Sequence, residues 1–289
     1  MTKTIKLSTI SAMLLVGFST SLNAYEWGMT AGAHDFVVQG IVDDTAADSI
    51  SAGDSHTLGV NVGVYIDHTT DSGIYIGAKA EAFLDHDKDE LDPDHIPLWF
   101  KFMVDVNGPM IKFNENHMFK WYVLMDNRQN TVSCIEREVR QHLGVGYTFN
   151  TGGFTLNTNV YTGFYYIEID DDTPIARGYD RQETDDGEAS NLLEIEMSYA
   201  FAKDWYILGA TKYYSANTGF EHLETDYQAV LSYKTDWFGK GSSLNLNLEY
   251  SDYDLSRFTI NNTRTQGNPI LPFDNDLLVQ AYVTIPFGN

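Results

Sequence analysis

The sequence predicts an all-β chain, closed as an antiparallel transmembrane β-barrel of about 12 strands, and three observations carry that prediction. Apolar and polar residues alternate with period two in run after run. The runs are joined alternately by long acidic links and mostly short ones. The first 24 residues read as an export signal and stand outside the fold. Strands with one apolar and one polar face, separated by turn residues, are what a barrel needs when lipid lies outside and water inside.

Met1 to Lys6 carries two lysines and no acid, Leu7 to Thr20 is apolar or small, and Ser21-Leu22-Asn23-Ala24 ends on a small residue. That order is a secretory signal peptide, expected to be cleaved after Ala24 and to leave residues 25–289 as the barrel. The single cysteine, Cys134, lies far from the cut and permits no internal disulfide. It reads as an incidental thiol. The whole chain has a formal charge of −23; without the leader's two lysines it is 16 − 41 = −25. Phosphate binding needs clustered Lys and Arg, so nucleic acid is excluded as a partner. Past the leader, no apolar run approaches the ~20 residues of a spanning helix, so any membrane crossing must be made by strands.

The first strand is expected over Trp27–Val38. The clearest follows from Thr57 to Asp67, where Leu58, Val60, Val62, Val64 and Ile66 face one way and Thr57, Gly59, Asn61, Gly63 and Tyr65 the other. Ile74 to Asp85 repeats the pattern, with Lys79 and Glu81 on its polar face, as does Ile96 to Asn107, with Lys101 and Asp105. Residues 118–126 set Phe119, Trp121, Val123 and Met125 against Lys120, Tyr122, Leu124 and Asp126. In 133–149, Ile135, Val139, Leu143, Val145, Tyr147 and Phe149 oppose Glu136, Glu138, Arg140, His142, Gly144 and Gly146. Phe154 to Phe164 and Leu193 to Phe201 continue the series, the latter with Glu194 and Glu196 on its polar face. The last four runs are centred on Leu208, Tyr227–Tyr233, Leu244–Tyr250 and Leu277–Phe287, which makes twelve.

Long links are expected near 41–55, 85–95, 168–191, 215–224 and 251–275, with a shorter one at 126–132. Opposite them lie the sequences HTTDSG, NTGG, AKD and DWFGKG. The segment Asn107–His117 is longer than a periplasmic turn should be. Short periplasmic turns, longer extracellular loops and an even strand count belong together in outer-membrane barrels. Aromatics fall near both expected interfaces: Trp121, Phe149, Phe154, Trp205, Trp237, Phe238 and Phe287 near the turns, and Tyr165, Tyr166, Tyr213, Tyr214, Tyr250 and Tyr253 near the loops.

The final run, Val279, Ala281, Val283, Ile285 and Phe287, resembles the terminal strand by which outer-membrane barrels are recognised for assembly, with Phe287 as its signal residue. Here Gly288 and Asn289 follow the aromatic, which is usually terminal. In size and strand plan, residues 25–289 are similar to a twelve-stranded autotransporter translocator without a passenger, or to one of the small twelve-stranded channels. The resemblance implies a Gram-negative cell outer membrane, with outer-membrane lipid, lipopolysaccharide and the barrel-assembly machinery as partners.

Ten polar-face residues form a candidate lumen charge cluster: Lys79, Glu81, Lys101, Asp105, Glu136, Glu138, Arg140, His142, Glu194 and Glu196. Charges inside a barrel are expected to pair across strands, because isolated ions in a restricted interior are costly. They could form a salt-bridge network that fills and stiffens a narrow lumen, or a ring that favours cations. The link carrying Asp85, Asp87 and Asp89 imitates the start of a calcium loop, but Glu90 replaces the required glycine and Ile96 the bidentate glutamate. Weak binding of divalent cations remains open there. No cofactor is expected.

Enzyme readings fare worse. Gly53-Asp54-Ser55-His56 looks like the opening of a GDSL-type hydrolase without its α/β framework. No histidine has serine at the spacing of the outer-membrane phospholipases. Asp43-Asp44 and Asp94-His95 could mimic the rim pairs of omptin-type proteases, whose strand number is ten. His142 reads as a lumen hydrogen-bonding residue and not as a base. The leading expectation is a non-enzymatic barrel, a narrow channel or an autotransporter-type pore. The alternatives are a surface-interaction barrel with cation-binding acidic loops and, last, a rim hydrolase.

Overall fold

A computed structural model of the chain describes residues 26–39, 55–86, 97–130, 135–169, 184–255, 273 and 275–287. The expected leader, Asp43-Asp44, Gly53-Asp54, Asp87, Asp89, Asp94-His95 and Cys134 lie outside the described residues. The strands are β1 (Glu26–Gln39), β2 (Ser55–Thr69), β3 (Tyr75–Asp85), β4 (Leu98–Lys112), β5 (His117–Asn130) and β6 (Ile135–Thr151). They continue with β7 (Phe154–Ile169), β8 (Thr184–Ala202), β9 (Trp205–Ala216), β10 (His222–Thr235), β11 (Ser242–Tyr253) and β12 (Asn275–Pro286). Each pairs antiparallel with its neighbours in the chain, and β1 pairs with β12 from Gly28↔Pro286 to Gln39↔Asn275, closing the sheet into a barrel. Closure leaves no unpaired sheet edge along the common length of the strands, which is the requirement for a sheet with no water beside it.

All twelve expected strands form, and most run further than the alternation implied. Strand β9 reaches Ala216 and β10 starts at His222, so the expected long link 215–224 is a tight connection over 217–221. Ala216 N–H donates to the carbonyl of Glu221 (2.8 Å), and Gly219 and Phe220 take positive φ, of 83° and 54°, to make the reversal. Strand β5 likewise consumes most of the expected link 126–132. The overlong segment Asn107–His117 is largely strand: β4 passes through an irregularity between Pro109 and Ile111 and turns over 113–116. In β6 the register skips between Ile135 and Arg137. That bulge reverses the alternation, so Ile135, expected on the outer face, is fully buried inside.

The two faces are sharply divided. Leu58, Val60, Val62 and Val64 on β2 are more than half exposed on the outside, as is Leu143 on β6, while Thr57 and Asn61 on the inner face of β2 are almost fully buried. Leu193, Ile195, Met197, Tyr199 and Phe201 extend the apolar exterior along β8. Such a belt greatly exceeds the apolar patch a water-soluble monomer exposes. Glycine on the inner wall makes room for larger neighbours. A Cβ on Gly59 would lie 2.5 Å from the His34 ring, and one on Gly144 would lie 2.4 Å from both the Tyr161 ring and the carbonyl of Val160.

Candidate functional site

The interior of the barrel is where chemistry-bearing side chains gather, because every second residue of each strand points there. The end carrying the β1–β2, β3–β4 and β11–β12 links is here called the loop end, and the opposite one the turn end.

Near the loop end, Arg128 of β5 reaches across the lumen. Its Nε donates to Glu138 of β6 (3.0 Å), its Nη1 to Asp276 of β12 (3.0 Å), and its Nη2 to the Tyr253 hydroxyl of β11. Tyr253 in turn donates to Asp276 (2.7 Å). Around the ring, β5 and β12 are separated by β4, β3, β2 and β1, so this guanidinium ties nearly opposite walls together. Arg140 of β6 makes a second crossing. Its Nη1 donates to Glu224 (2.9 Å) and Asp226 (3.0 Å) of β10, and its Nη2 lies 3.3 Å from Asp126 of β5. The Tyr214 ring lies against the Arg140 guanidinium, with 5.1 Å from its Cζ to the ring centre. Tyr165 links the two crossings, donating to Glu138 (2.6 Å) with Glu224 3.0 Å away. Both arginines are nearly fully buried. Buried charge is tolerated only when paired and hydrogen-bonded, and the planar guanidinium, with five donors, suits a hub between carboxylates.

Apolar packing fills the space around these hubs. Phe83 stacks on Trp99 with ring centres 3.7 Å apart, and Phe36 and His34 lie against the same indole. His34 Nε2 meets Asp85 Oδ1 at 2.5 Å, and Trp99 Nε1 donates to the other carboxylate oxygen (3.2 Å). Ile135, Ile167, Leu192, Leu223 and Leu278 complete this packed layer.

Below the crossings lies a cavity of about 150 Å³, lined by Lys79, Lys101 and Lys212 together with Glu81, Asp126, Asp226 and Glu249. Lys101 of β4 donates to Glu249 of β11, again across the lumen. Lys79 pairs with Glu81 (2.8 Å) on its own strand and sits over the Tyr282 ring. Lys212 stands 3.6 Å from Asp126. Towards the turn end the bonds run along the wall: Asn157 to Glu196 (2.9 Å), Asn159 and Tyr161 to Glu194 (2.9 and 2.6 Å), and Lys120 to Asn107 (3.3 Å).

The residues expected to cluster therefore separate into layers. Glu138 and Arg140 sit in the buried crossings; Lys79, Glu81 and Lys101 line the cavity; Asp105, Glu194 and Glu196 face the turn-end vestibule. Lys101 lies opposite Glu81 in the β3–β4 ladder, yet its ammonium goes to Glu249 instead. His142 Nε2 lies 2.9 Å from Ser190 Oγ, inside the wall, and its Nδ1 meets no partner among the described residues. Glu136 falls at the β6 bulge. Asp85 points inward into its bonds with His34 and Trp99, so a divalent-cation site in the acidic link would have to form without it. Phe287 packs on Trp27 at the turn-end rim (5.0 Å between ring centres), and its N–H donates to the Trp27 carbonyl (2.7 Å).

Sequence reasoning missed Arg128, Glu224, Asp276, Lys212, Asp226 and Glu249 as members of the interior network. The first three lie at or beyond expected strand ends, where the exterior of β5 and β6 turns polar (Asn127, Gln129, Arg137, Gln141) while the interior stays largely charged (Asp126, Arg128, Glu138, Arg140), so both faces are polar. The alternation there loses the polarity that marks a strand face. Asp126 was legible as an inward residue, but nothing local marked its distant partner.

No family model and no curated protein matches the sequence. Among solved structures, the chain is similar to the NanC porin (TM-score 0.48, 10% identity, 89% of this chain and 98% of that one). It is also similar to the KdgM porin in complex with disordered oligogalacturonate (0.44, 11%, 90% and 99%) and to an anion-selective porin from Comamonas acidovorans (0.39, 9%, 91% and 98%). The chain is an all-β, closed, twelve-stranded antiparallel barrel, and outer-membrane porins are among the solved structures that it resembles in outline.

Proposed function

We propose that the protein is a non-catalytic integral barrel of the Gram-negative outer membrane that serves as a narrow channel for small solutes. The observation that carries this reading is the pairing of an apolar exterior with a charged, hydrogen-bonded interior, inside a closed ring of twelve strands, wider than the eight-stranded barrels whose interior side chains just fill. The apolar belt suits acyl chains, and the loop-end links, richer in acids, suit the extracellular side. The two arginine crossings limit the bore to ions and very small molecules. An autotransporter-type pore would need a clear path for an extended chain, and the crossings weigh against it. Catalysis is disfavoured by incomplete constellations: His142 and Ser190 have no carboxylate on the other imidazole nitrogen, and His34 and Asp85 have no nucleophile in contact among the described residues.

Planar-bilayer recording with the purified, refolded barrel tests the reading. Small, discrete currents are expected, and a correctly inserted barrel silent at every voltage sinks the channel. A second reading, a sealed structural barrel, is favoured by the cross-lumen bonds themselves. Currents that appear only after Arg128→Ala or Arg140→Ala would establish it.

A further inference from the structure

We infer that the outward face of β5, β6 and β7 is the surface at which two copies of this chain associate side by side in the membrane. The inference rests on the exterior meeting lipid and is independent of whether the lumen conducts.

The outward faces of the barrel are not alike. On β2 the face is apolar from Leu58 through Val60, Val62 and Val64 to Ile66. On β6, Gln141 is exposed between Val139 and Leu143 of its own strand. Its ladder partners are Met125 on β5 and Phe164 on β7. An amide is thus set among apolar outward side chains, and no described residue hydrogen-bonds it. Thr162 of β7, paired with Leu143, lies diagonally on one side of Gln141; Asn127 of β5, paired with Val139, lies diagonally on the other. The three make a polar row across adjacent strands.

Acyl chains cannot satisfy an amide, and a polar group without a partner in hydrocarbon is costly. Gln and Thr on membrane-facing surfaces are satisfied when such surfaces meet each other.

Two features favour a second copy over a lipid headgroup. Val139 is nearer the loop end than Gln141 along β6, and Phe164 is nearer it than Thr162 along β7. Apolar side chains therefore separate the row from the rim where headgroup sugars lie. The face is also self-complementary. An amide carries both donors and an acceptor, so about a two-fold axis beside Gln141 each copy's amide can donate to the other's. At the rim of the same face, Arg137 and Glu168 stand 3.5 Å apart, and this pair likewise offers a copy of itself both signs of charge. That matters for a chain of net charge −23, whose copies otherwise repel.

Sedimentation equilibrium of the full refolded barrel, in density-matched detergent micelles free of lipopolysaccharide, tests the inference. A reversible dimer is expected. Gln141→Leu should weaken it about tenfold, since it removes two reciprocal amide hydrogen bonds from a lipid-facing contact. Arg137→Glu should weaken it as well, because like charges would then face each other across the axis. Val62→Leu, on the outward face of β2, should leave it unchanged. Circular dichroism confirms that the sheet has formed in each variant, and if one of the β6 variants fails to fold, the other still decides. Monomers at every ratio of protein to detergent overturn the proposal, as does a dimer undiminished by folded β6 variants or weakened equally by Val62→Leu. Association that appears only on adding lipopolysaccharide would assign the row to headgroups and overturn direct contact. Dimers that pass no current would refute the channel and leave the interface. Conducting monomers would refute the interface and leave the channel.

Discussion

The two halves of the lumen are built from the same twelve strands and solve opposite problems. At the loop end, hydrogen bonds cross the interior: Arg128 to Asp276 and Arg140 to Asp226 join residues 148 and 86 positions apart in the chain. At the turn end, bonds stay on the wall, between adjacent strands, as in Asn157 to Glu196 or Asn159 to Glu194. Crossing bonds narrow the bore and leave their members almost fully buried. Wall bonds leave Glu194, Glu196 and Lys120 partly exposed, so that half can be wetted. The contrast shows that strand number alone does not set a barrel's bore. Long side chains with distant partners do.

The largest expected effect comes from breaking a crossing. Arg128→Ala leaves Glu138 and Asp276 buried without their cation, and removing one partner of a buried ion pair costs about 3–5 kcal/mol. Urea unfolding of the barrel in lipid vesicles should show a loss of that size, and single-channel recording a larger unitary current. An unchanged unfolding midpoint with unchanged current would mean that the crossing neither stabilises nor blocks.

The turn-end half, although partly exposed, is not loosely built. Gly144→Ala would press a Cβ against the carbonyl of Val160, a backbone atom that cannot swing away. Overpacking of this kind costs about 1–3 kcal/mol. A destabilisation below that range, measured in the same vesicles, would show the wall to be more pliable than its spacing implies. A smaller loss, about 1 kcal/mol beyond the area lost, is expected for Phe83→Leu in the loop-end half, where the stack on Trp99 disappears. If Phe83→Leu proved the more damaging of the two, the packed layer and not the ladder geometry would dominate stability.

How much of this was legible in the sequence follows the same division. Across the middle of the barrel, alternation in stretches such as Leu58–Ile66 or Leu193–Phe201 identified strand, face and neighbour, because one face meets apolar surroundings and the other water. Beyond the belt that contrast fades. Asn127 and Gln129 face out while Leu124 and Ile135 face in, so strand ends were read as links and Arg128 went unseen. The bulge at Ile135–Arg137 escaped notice because period-two patterns carry no signal for one extra residue. Pairing across the lumen was illegible for a different reason. The ladder places Lys101 opposite Glu81, and only the curvature of the closed sheet brings Glu249 within its reach.

The smallest structural effect should accompany the clearest functional one. In the turn-end vestibule, Asp105, Glu194 and Glu196 outnumber Lys120, so a permeating ion there meets net negative charge. Glu196 is partly exposed and bonded only to Asn157 among the described contacts, and Gln at this position keeps the shape and the acceptor oxygen. Glu196→Gln should therefore change stability by no more than about 0.5 kcal/mol. Removing a carboxylate from a charged ring weakens the preference for cations. The reversal potential across a KCl gradient should accordingly move towards the chloride value. The matching change in the crossing layer, Glu138→Gln, should do the reverse, costing stability because it strips charge from a fully buried hub. Equal stability losses from the two substitutions would erase the distinction between a partly exposed wall and a buried crossing.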